Sequence, residues 1–308
     1  MDKTTMDREI CRNVLVVAIT PRREDRKVNV DGIHHNVRYL IENGVNFIMP
    51  ECGTGLVYDA SLEEYEAVVA AFIDSAGEEA YVVPGIGPGF GRALEMGAIA
   101  RSLDADGVMI MPIVGPASAE GVYNGLKEIT KAVQLPTILY QRRLDIMPAD
   151  DVVRLCELDG VVGLKYAVEN LDAFQAIAEK ASSRAAMICG MAEDPSIAYM
   201  EHGAIGFSSG MANFVPRMSL TLLHKFAEGN KAEAQRLRSL MLPFEDFRGE
   251  NGARYSSSAL HTAMDYAGLA GGPVIPFAAD VAAQELPRVH AMMDRLMKEE
   301  KALRESNR

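Results

Sequence analysis

A tyrosine and a lysine close two neighbouring apolar runs, and together they could form and process an imine. The run 136–140 ends at Tyr140, the run 161–165 ends at Lys165, and a helical pattern fills 147–158 between them. Runs this apolar are typical of parallel strands that are covered on both faces. A right-handed crossover would place Tyr140 beside Lys165 at the carboxyl ends of their strands, where α/β proteins place their chemistry.

A lysine that closes a buried strand has two interpretations. The ordinary one is a charged residue that marks where the strand reaches water. The other is a buried amine whose apolar surroundings favour the uncharged form, which can attack a carbonyl and form a Schiff base. The two apolar strands favour the second interpretation for Lys165, as does the adjacent Tyr140 hydroxyl, which could shuttle protons.

Apolar runs alternate with helical patterns through the first two thirds of the chain, and they predict eight strand-helix units roughly 25 residues apart. Eight units that close on themselves make a (β/α)8 barrel, and an open doubly wound sheet is the alternative. The glycine-rich stretch 85–91 lacks the spacing of a dinucleotide fingerprint, so we interpret it as a barrel-top loop. The stretch Ser61 to Glu64 matches a capping box at the start of a helix. The predicted strands are 15–19, 47–49, 81–85, 107–111, 137–140, 161–165, 186–189 and 204–208.

The strands stop after about Pro216, and the remaining patterns are helical. They predict helices at 218–229, 231–242, 256–267 and 282–304, and the first of these could be the eighth helix of the barrel. No low-complexity stretch or linker separates these helices from the barrel. We therefore predict a barrel over residues 1–228 and a helical segment over residues 229–308 that packs on it.

Composition narrows the classes of function. A net charge of -12 argues against non-specific nucleic-acid binding. The four cysteines and six histidines are scattered without a CxxC pair, so we predict no metal site and no disulfide framework. The polar N-terminus and the lack of an apolar run near the ~20 residues of a membrane span predict a cytoplasmic protein without a membrane partner.

The loop after the second predicted strand contains a threonine between two glycines, Gly53-Thr54-Gly55. On a barrel this loop faces the same mouth as Tyr140 and Lys165. Glycines let backbone N–H groups point at an anion such as a carboxylate, while the Thr54 hydroxyl reaches inward. An ordinary tight turn is the alternative interpretation of these three residues.

In this order and spacing, the motifs resemble those of the dihydrodipicolinate synthase / N-acetylneuraminate lyase family of class I, Schiff-base lyases, over nearly the whole chain. The resemblance implies that Lys165 forms the imine with a small 2-oxo acid, that Tyr140 shuttles protons, and that Thr54 completes a hydroxyl relay. It also implies that the reaction needs no cofactor and that the chain assembles as a homodimer or homotetramer. The matching motifs are 53–55 with 61–64, 136–140, 163–165, Gly190, and 203–209 with Asn213 and Pro216. The substrate-binding residues it implies are Gly53, Gly55, Arg142, Gly190 and Ser208.

Departures from the family pattern decide which reaction we expect. Dihydrodipicolinate synthases carry an interface tyrosine where this chain has Val114, and the arginine that grips their second substrate falls near Asp145. The family's glutamate after the glycine-threonine loop is Leu56, and the asparagine after the catalytic tyrosine is Gln141. Arg142 and the segments 207–209 and 213–216 are closer to the 5-dehydro-4-deoxyglucarate dehydratases.

A lyase is therefore the leading hypothesis, with dehydration, alone or with decarboxylation, of a 2-oxo acid derived from a sugar acid. In this hypothesis Arg142 faces a distal carboxylate, and its alternative interpretation is a solvated loop charge beside Arg143. One competing hypothesis is a pyruvate-releasing aldolase of the same family. Another is a catalytically silent barrel that binds a small acid, which the departures at Leu56 and Val114 motivate.

Overall fold

The computed structural model describes residues 4–306. Nine β-segments in this part of the chain form one sheet, in which every ladder is parallel. Most of their residues are buried, because helices cover the outside and side chains fill the inside. The segments are β1 (Val14–Val17), β2 (Phe47–Met49), β3 (Tyr81–Val82), β4 (Gly85–Ile86), β5 (Val108–Ile110), β6 (Thr137–Gln141), β7 (Val161–Tyr166), β8 (Ala186–Cys189) and β9 (Gly206–Ser209).

Two of these segments are halves of one strand position, and this closes the sheet. The spatial order runs β3-β2-β1-β9-β8-β7-β6-β5-β4, so the two ends of the order are consecutive in sequence. Pro84 lies between β3 and β4 and cannot donate to a ladder. Its carbonyl still accepts a hydrogen bond from Met109 N at 2.9 Å, while Val83 N on the other edge donates to Ile48 O at 2.9 Å. Eight strand positions therefore close into a barrel.

A helix follows each of the eight strand positions, which confirms the predicted (β/α)8 barrel. The predicted strands end within two residues of the observed ones at each end. These helices are α1 (Val30–Glu42), α2 (Leu62–Ala76), α3 (Phe90–Ser102), α4 (Ala119–Val133), α5 (Ala149–Cys156), α6 (Leu171–Ala181), α7 (Ser196–Glu201) and α8 (Pro216–Ala227).

The predicted capping box at the start of α2 forms only in half. The Ser61 side chain accepts a hydrogen bond from Glu64 N at 3.1 Å, as the motif requires. The Glu64 carboxylate pairs instead with the buried guanidinium of Arg22. A nearby buried cation therefore takes the carboxylate that the motif would direct to the Ser61 backbone N–H.

Three further helices follow the barrel: α9 (Lys231–Ala253), α10 (Ser258–Tyr266) and α11 (Leu286–Ser306). The prediction that the helix starting at 231 ends at 242 is wrong, because the helix continues through Pro243. Burial of Phe244 and Phe247 beyond the proline offsets the backbone hydrogen bond that Pro243 removes.

Helix α9 loses its regular geometry near its end. Glu250 is extended, and Asn251, Gly252 and Ala253 have φ values of 52°, 71° and 61°. Asn and Gly tolerate this left-handed region better than other residues do. We call residues 250–253 the α9 turn. It reverses the chain so that the residues after it return to the barrel.

The last helix is tied to the barrel by a buried carboxylate. Glu300 on α11 accepts hydrogen bonds from Arg217 N at 3.1 Å and Met218 N at 3.0 Å, in the first turn of α8. A carboxylate at this position satisfies N–H groups that the helix itself cannot pair. The boundary between residues 228 and 229 stays a prediction. Of the helices within residues 4–306, none combines the length and apolar character needed to cross a lipid bilayer.

Candidate active site

Tyr140 and Lys165 are register partners on the neighbouring strands β6 and β7. The Lys165 Nζ atom lies 4.0 Å from the centroid of the Tyr140 ring. Lys165 is only 5% exposed, and Tyr140 is half-buried. The side-by-side placement predicted from the crossover is therefore what the structure shows, at the carboxyl end of the barrel.

Gly190 ends the next strand position, and its lack of a side chain makes room for the lysine. A Cβ atom at this position would lie 2.9 Å from Lys165 Cγ and 2.8 Å from Tyr166 O. Both distances are too short for carbon contacts, so a larger residue would displace the lysine stem. Ser208 follows on β9, where it is buried at the same end of the barrel.

Thr54 lies in the loop after β2, and residues from the N-terminal part and from the C-terminal part of the chain both contact this loop. The Ser257 hydroxyl donates to Thr54 O at 2.7 Å. Gly55 is packed inward, where an added Cβ would lie 3.2 Å from Ala18 O and 3.2 Å from Glu51 N. The loop thus presents Gly53 and Thr54 to the barrel mouth and turns Gly55 away from it.

Beneath this loop, Glu51 is fully buried. The Thr20 hydroxyl donates to its Oε1 at 2.7 Å, while its Oε2 has no hydrogen-bond partner within residues 4–306. Burial raises the pKa of Glu51 to about 7, although the hydrogen bond from Thr20 opposes this shift. The support under the Thr54 loop is therefore a carboxyl group that holds its proton well above the usual pH.

A cavity of about 470 Å³ opens at the carboxyl end of the barrel, and we call it the mouth cavity. Its volume falls within the range of small-molecule sites. It brings together every candidate residue except Gly55. The predicted residues that line it are Gly53, Thr54, Tyr140, Arg142, Lys165, Gly190 and Ser208.

Arg142 reaches this cavity from an exposed loop after β6. The loop is anchored by the buried Gln141, whose Nε2 donates to Arg143 O at 2.9 Å and to Met147 O at 3.3 Å. Arg143 pairs with Asp145 at 2.6 Å on the exposed side of the loop. Arg142 itself has no hydrogen bond or ion pair with any residue in the described range 4–306.

Sequence reasoning missed Tyr58, Glu245, Arg248 and Ser256, which also line the mouth cavity. Tyr58 is 40% exposed. Burial of its ring, and next the nearby Tyr140, raise the pKa of Tyr58 to about 12. Tyr58 could have been suspected from its place four residues after Thr54. The other three lie beyond Pro243 or after the α9 turn, in a stretch without a strand or loop motif to mark them.

Val114 lies away from this cavity and is 68% exposed. It lines a separate apolar cleft together with Phe90, Ile113 and Pro116. The assembly as a homodimer or homotetramer, which the resemblance implies, stays a prediction.

Within residues 4–306, His, Cys, Asp and Glu side chains form no group of three or more that could hold a metal ion. The cofactor-free reaction stays a prediction as well.

The profile of the Dihydrodipicolinate synthetase family matches residues 11–296. The chain belongs to this family. Among relatives of this family member, a probable 5-dehydro-4-deoxyglucarate dehydratase of Bacillus subtilis is 28% identical over 260 residues, covering 83% of this chain and 84% of the relative. Another protein with that name, number 1 of Streptomyces avermitilis, is 29% identical over 270 residues, covering 85% and 86%.

Solved structures of the family agree in fold. A dihydrodipicolinate synthase from Oceanobacillus iheyensis superposes with a TM-score of 0.88 at 28% identity, covering 96% of this chain and 98% of that one. The enzyme of the same name from Bacillus clausii gives a TM-score of 0.89 at 28% identity, covering 93% and 98%. The sequence relatives and the structural neighbours thus carry the names of two different family activities.

Proposed function

We propose that this family member is a lysine-dependent lyase that dehydrates a 2-oxo acid derived from a sugar acid. The observation that supports it most is the pairing of Tyr140 with Lys165 on adjacent strands, with the Lys165 amine facing the mouth cavity. A buried amine that packs on the ring of a tyrosine has within one site the nucleophile and the proton carrier that Schiff-base chemistry requires. The names of the sequence relatives support the choice of dehydration.

In this proposal the Lys165 amine attacks the 2-oxo carbon, and loss of one water leaves a protonated imine. The imine withdraws electrons, so a proton can leave the neighbouring carbon and form an enamine. The enamine expels the hydroxyl group of the next carbon, which leaves as water with a proton supplied through Tyr140. One water then hydrolyses the imine and frees Lys165, so the net change is the loss of one water from the substrate.

Thr54, which lines the same cavity as Tyr140, takes part in this proposal through its hydroxyl group, as a member of the proton relay, and through its loop, which binds the substrate carboxylate. Ser208 and Gly190 line the same cavity as Lys165. A synthase must also hold a second carbonyl substrate, and the family's residues for that step are replaced near Val114 and Asp145. All four cysteines are free and buried, which supports the cytoplasmic location that we propose with this activity.

Borohydride trapping tests the covalent step. Candidate 2-oxo sugar acids are incubated with the protein and borohydride, and peptide mass mapping then locates the reduced adduct. We expect the adduct on Lys165 alone, no adduct and no turnover in Lys165→Ala, and normal behaviour in the control Lys180→Ala, which changes an exposed surface lysine. An adduct elsewhere, or none with any 2-oxo acid, contradicts the proposal.

NMR of the products tests the reaction class. A single dehydrated product supports dehydration, and loss of carbon dioxide from it identifies a following decarboxylation. Pyruvate with an aldehyde identifies the aldolase instead. Calorimetric binding of a 2-oxo acid without adduct or product identifies the silent acid-binding barrel.

A further inference from the structure

Arg248 on α9 differs from the other arginine of the mouth cavity in how it is held. Its Nη1 donates to both carboxylate oxygens of Glu245, at 2.8 and 2.9 Å, and its Nε donates to Ser256 O at 2.9 Å. The side chains of this pair are only 11% and 13% exposed. These three bonds, made by two different nitrogens, fix the plane of the guanidinium, so little conformational entropy remains to be lost when it binds an anion.

The third nitrogen of Arg248 is available for a ligand. Within residues 4–306, Nη2 has no hydrogen-bond partner, although Arg248 lines the mouth cavity with Lys165. A Cβ atom added to Gly210, directly after β9, would lie 3.1 Å from Nη2. The absence of a side chain at Gly210 thus makes room for the guanidinium at the edge of the barrel.

The charges around Arg248 leave it able to attract an anion. Glu245 is the single carboxylate that pairs with it among the described residues. Glu169 also lines the mouth cavity. Glu193, whose charge interacts with that of Glu245, is buried and accepts hydrogen bonds from the hydroxyls of Ser209 and Ser219, at 2.5 and 2.6 Å. Burial, and next the charge of Glu245, raise the pKa of Glu193, so this group contributes less negative charge near neutral pH.

We propose that Arg248 binds the second carboxylate of the substrate, at the end remote from the imine carbon, and thereby selects 2-oxo diacids over monoacids. This inference rests on the proposed function for the position of the imine, and it moves the distal contact from Arg142 to Arg248. A fixed guanidinium with N–H donors facing a partly enclosed cavity binds a carboxylate more strongly than a guanidinium on an exposed loop does.

Paired substrates test the assignment. Steady-state kinetics are measured for a 2-oxo sugar diacid and for the matched monoacid that ends in a hydroxymethyl group. We expect Arg248→Met to raise KM for the diacid by about 10- to 100-fold, the range for a lost hydrogen bond to a charged group, and to change KM for the monoacid far less. Arg142→Met tests the competing assignment, and Arg143→Met is the control from outside the mouth cavity.

A second variant guards against loss of folding, because Arg248→Met leaves Glu245 without its cation. Gly210→Ala keeps both charged side chains, but its methyl group would lie 3.0 Å from Leu260 Cδ1, 3.1 Å from Nη2 and 3.2 Å from Nη1, so the guanidinium must shift. We expect the same selective rise in diacid KM, with a smaller size. Equal effects on both substrates, or a larger selective effect of Arg142→Met, overturn the proposal.

Binding without turnover separates this proposal from the proposed function. Calorimetry with adipate and hexanoate, which lack a 2-oxo group, compares a diacid with a monoacid when no imine can form. Tighter binding of adipate that disappears in Arg248→Met supports the role of Arg248 even if no borohydride adduct is found on Lys165. Equal binding of the two acids by the unaltered protein contradicts it even if the adduct forms.

Discussion

Tyr140 and Lys165 form what we call the strand side of the mouth cavity, and Glu245 and Arg248 form its helix side. Backbone pairing between β6 and β7 sets the position of the first pair. Side-chain bonds to a neighbouring carboxylate and to Ser256 O set the position of Arg248. A change on the helix side can therefore leave the strands intact, whereas the strand side depends on the barrel itself. Because of this difference, the strand side is suited to covalent chemistry and the helix side to substrate recognition.

Among the variants that test this difference between the two sides, Tyr140→Phe is expected to have the largest effect. Loss of the hydroxyl removes the proposed proton carrier while the ring still packs on Lys165, so kcat should fall by about 10²- to 10⁴-fold. KM should change little, and borohydride should still trap an adduct on Lys165. Rapid-quench and steady-state kinetics measure both quantities. If KM rises in this variant while kcat is unchanged, Tyr140 acts in substrate recognition, and the division of roles between the strand side and the helix side is wrong.

An intermediate effect is expected when Glu51, which lies under the Thr54 loop, is changed to Gln. The quantity that should change is the pH dependence of the free energy of unfolding. The native pKa of Glu51 is about 7, above its unfolded value of 4.5, so between these values the native state holds a proton that the unfolded chain releases. This contribution to stability is complete below pH 4.5 and is lost as the pH rises through about 7. Glu51→Gln should remove that decline, which is at most about 3 kcal/mol.

Urea unfolding at several pH values between 5 and 8 measures this change. The exposed Glu63→Gln on α2 is the control and should keep the decline of the unaltered protein. A Glu51→Gln protein that loses stability with pH as steeply as the unaltered protein would show that Glu51 is ionised in the fold. The strand side would then depend on a buried charge, as the helix side does.

The smallest effect is expected from Gln141→Leu, which removes both hydrogen bonds that anchor the loop of Arg142. We expect a loss of about 1 kcal/mol in the free energy of unfolding, with diacid and monoacid KM values changed equally. Thermal unfolding and the paired kinetics measure these quantities. If the diacid KM alone rises, the position of Arg142 matters for recognition and the contrast between the two sides weakens.

The barrel and the strand side could be predicted from the sequence because their signals are local. An apolar run ending in Lys165, a crossover of ordinary length and a run ending in Tyr140 determine which residues become neighbours. The packing of Gly55 could not be predicted, because it depends on Ala18 O and the Thr20 hydroxyl in the segment after β1. Two glycines that flank one threonine look alike in sequence, yet one lines the cavity and the other does not.

The helix side escaped prediction for a different reason. A proline usually ends a helix, and the pattern before Pro243 gave no indication that burial of Phe244 and Phe247 would offset its cost. In the sequence, Glu245 and Arg248 therefore look like ordinary surface charges on a helix. Only the folded chain brings them to the carboxyl ends of strands that precede them by dozens of residues.

The α9 turn has a consequence for how this barrel can be altered in the laboratory. Because it reverses the chain within four residues, the ten-residue stretch 248–257 supplies Arg248, the Ser256 carbonyl that holds it, and the Ser257 hydroxyl that fixes Thr54. This short cassette therefore contains Arg248, which we propose binds the distal carboxylate, and it also contacts the Thr54 loop on the other side of the mouth cavity. Combinatorial libraries confined to this cassette would vary substrate preference while every barrel strand keeps its sequence.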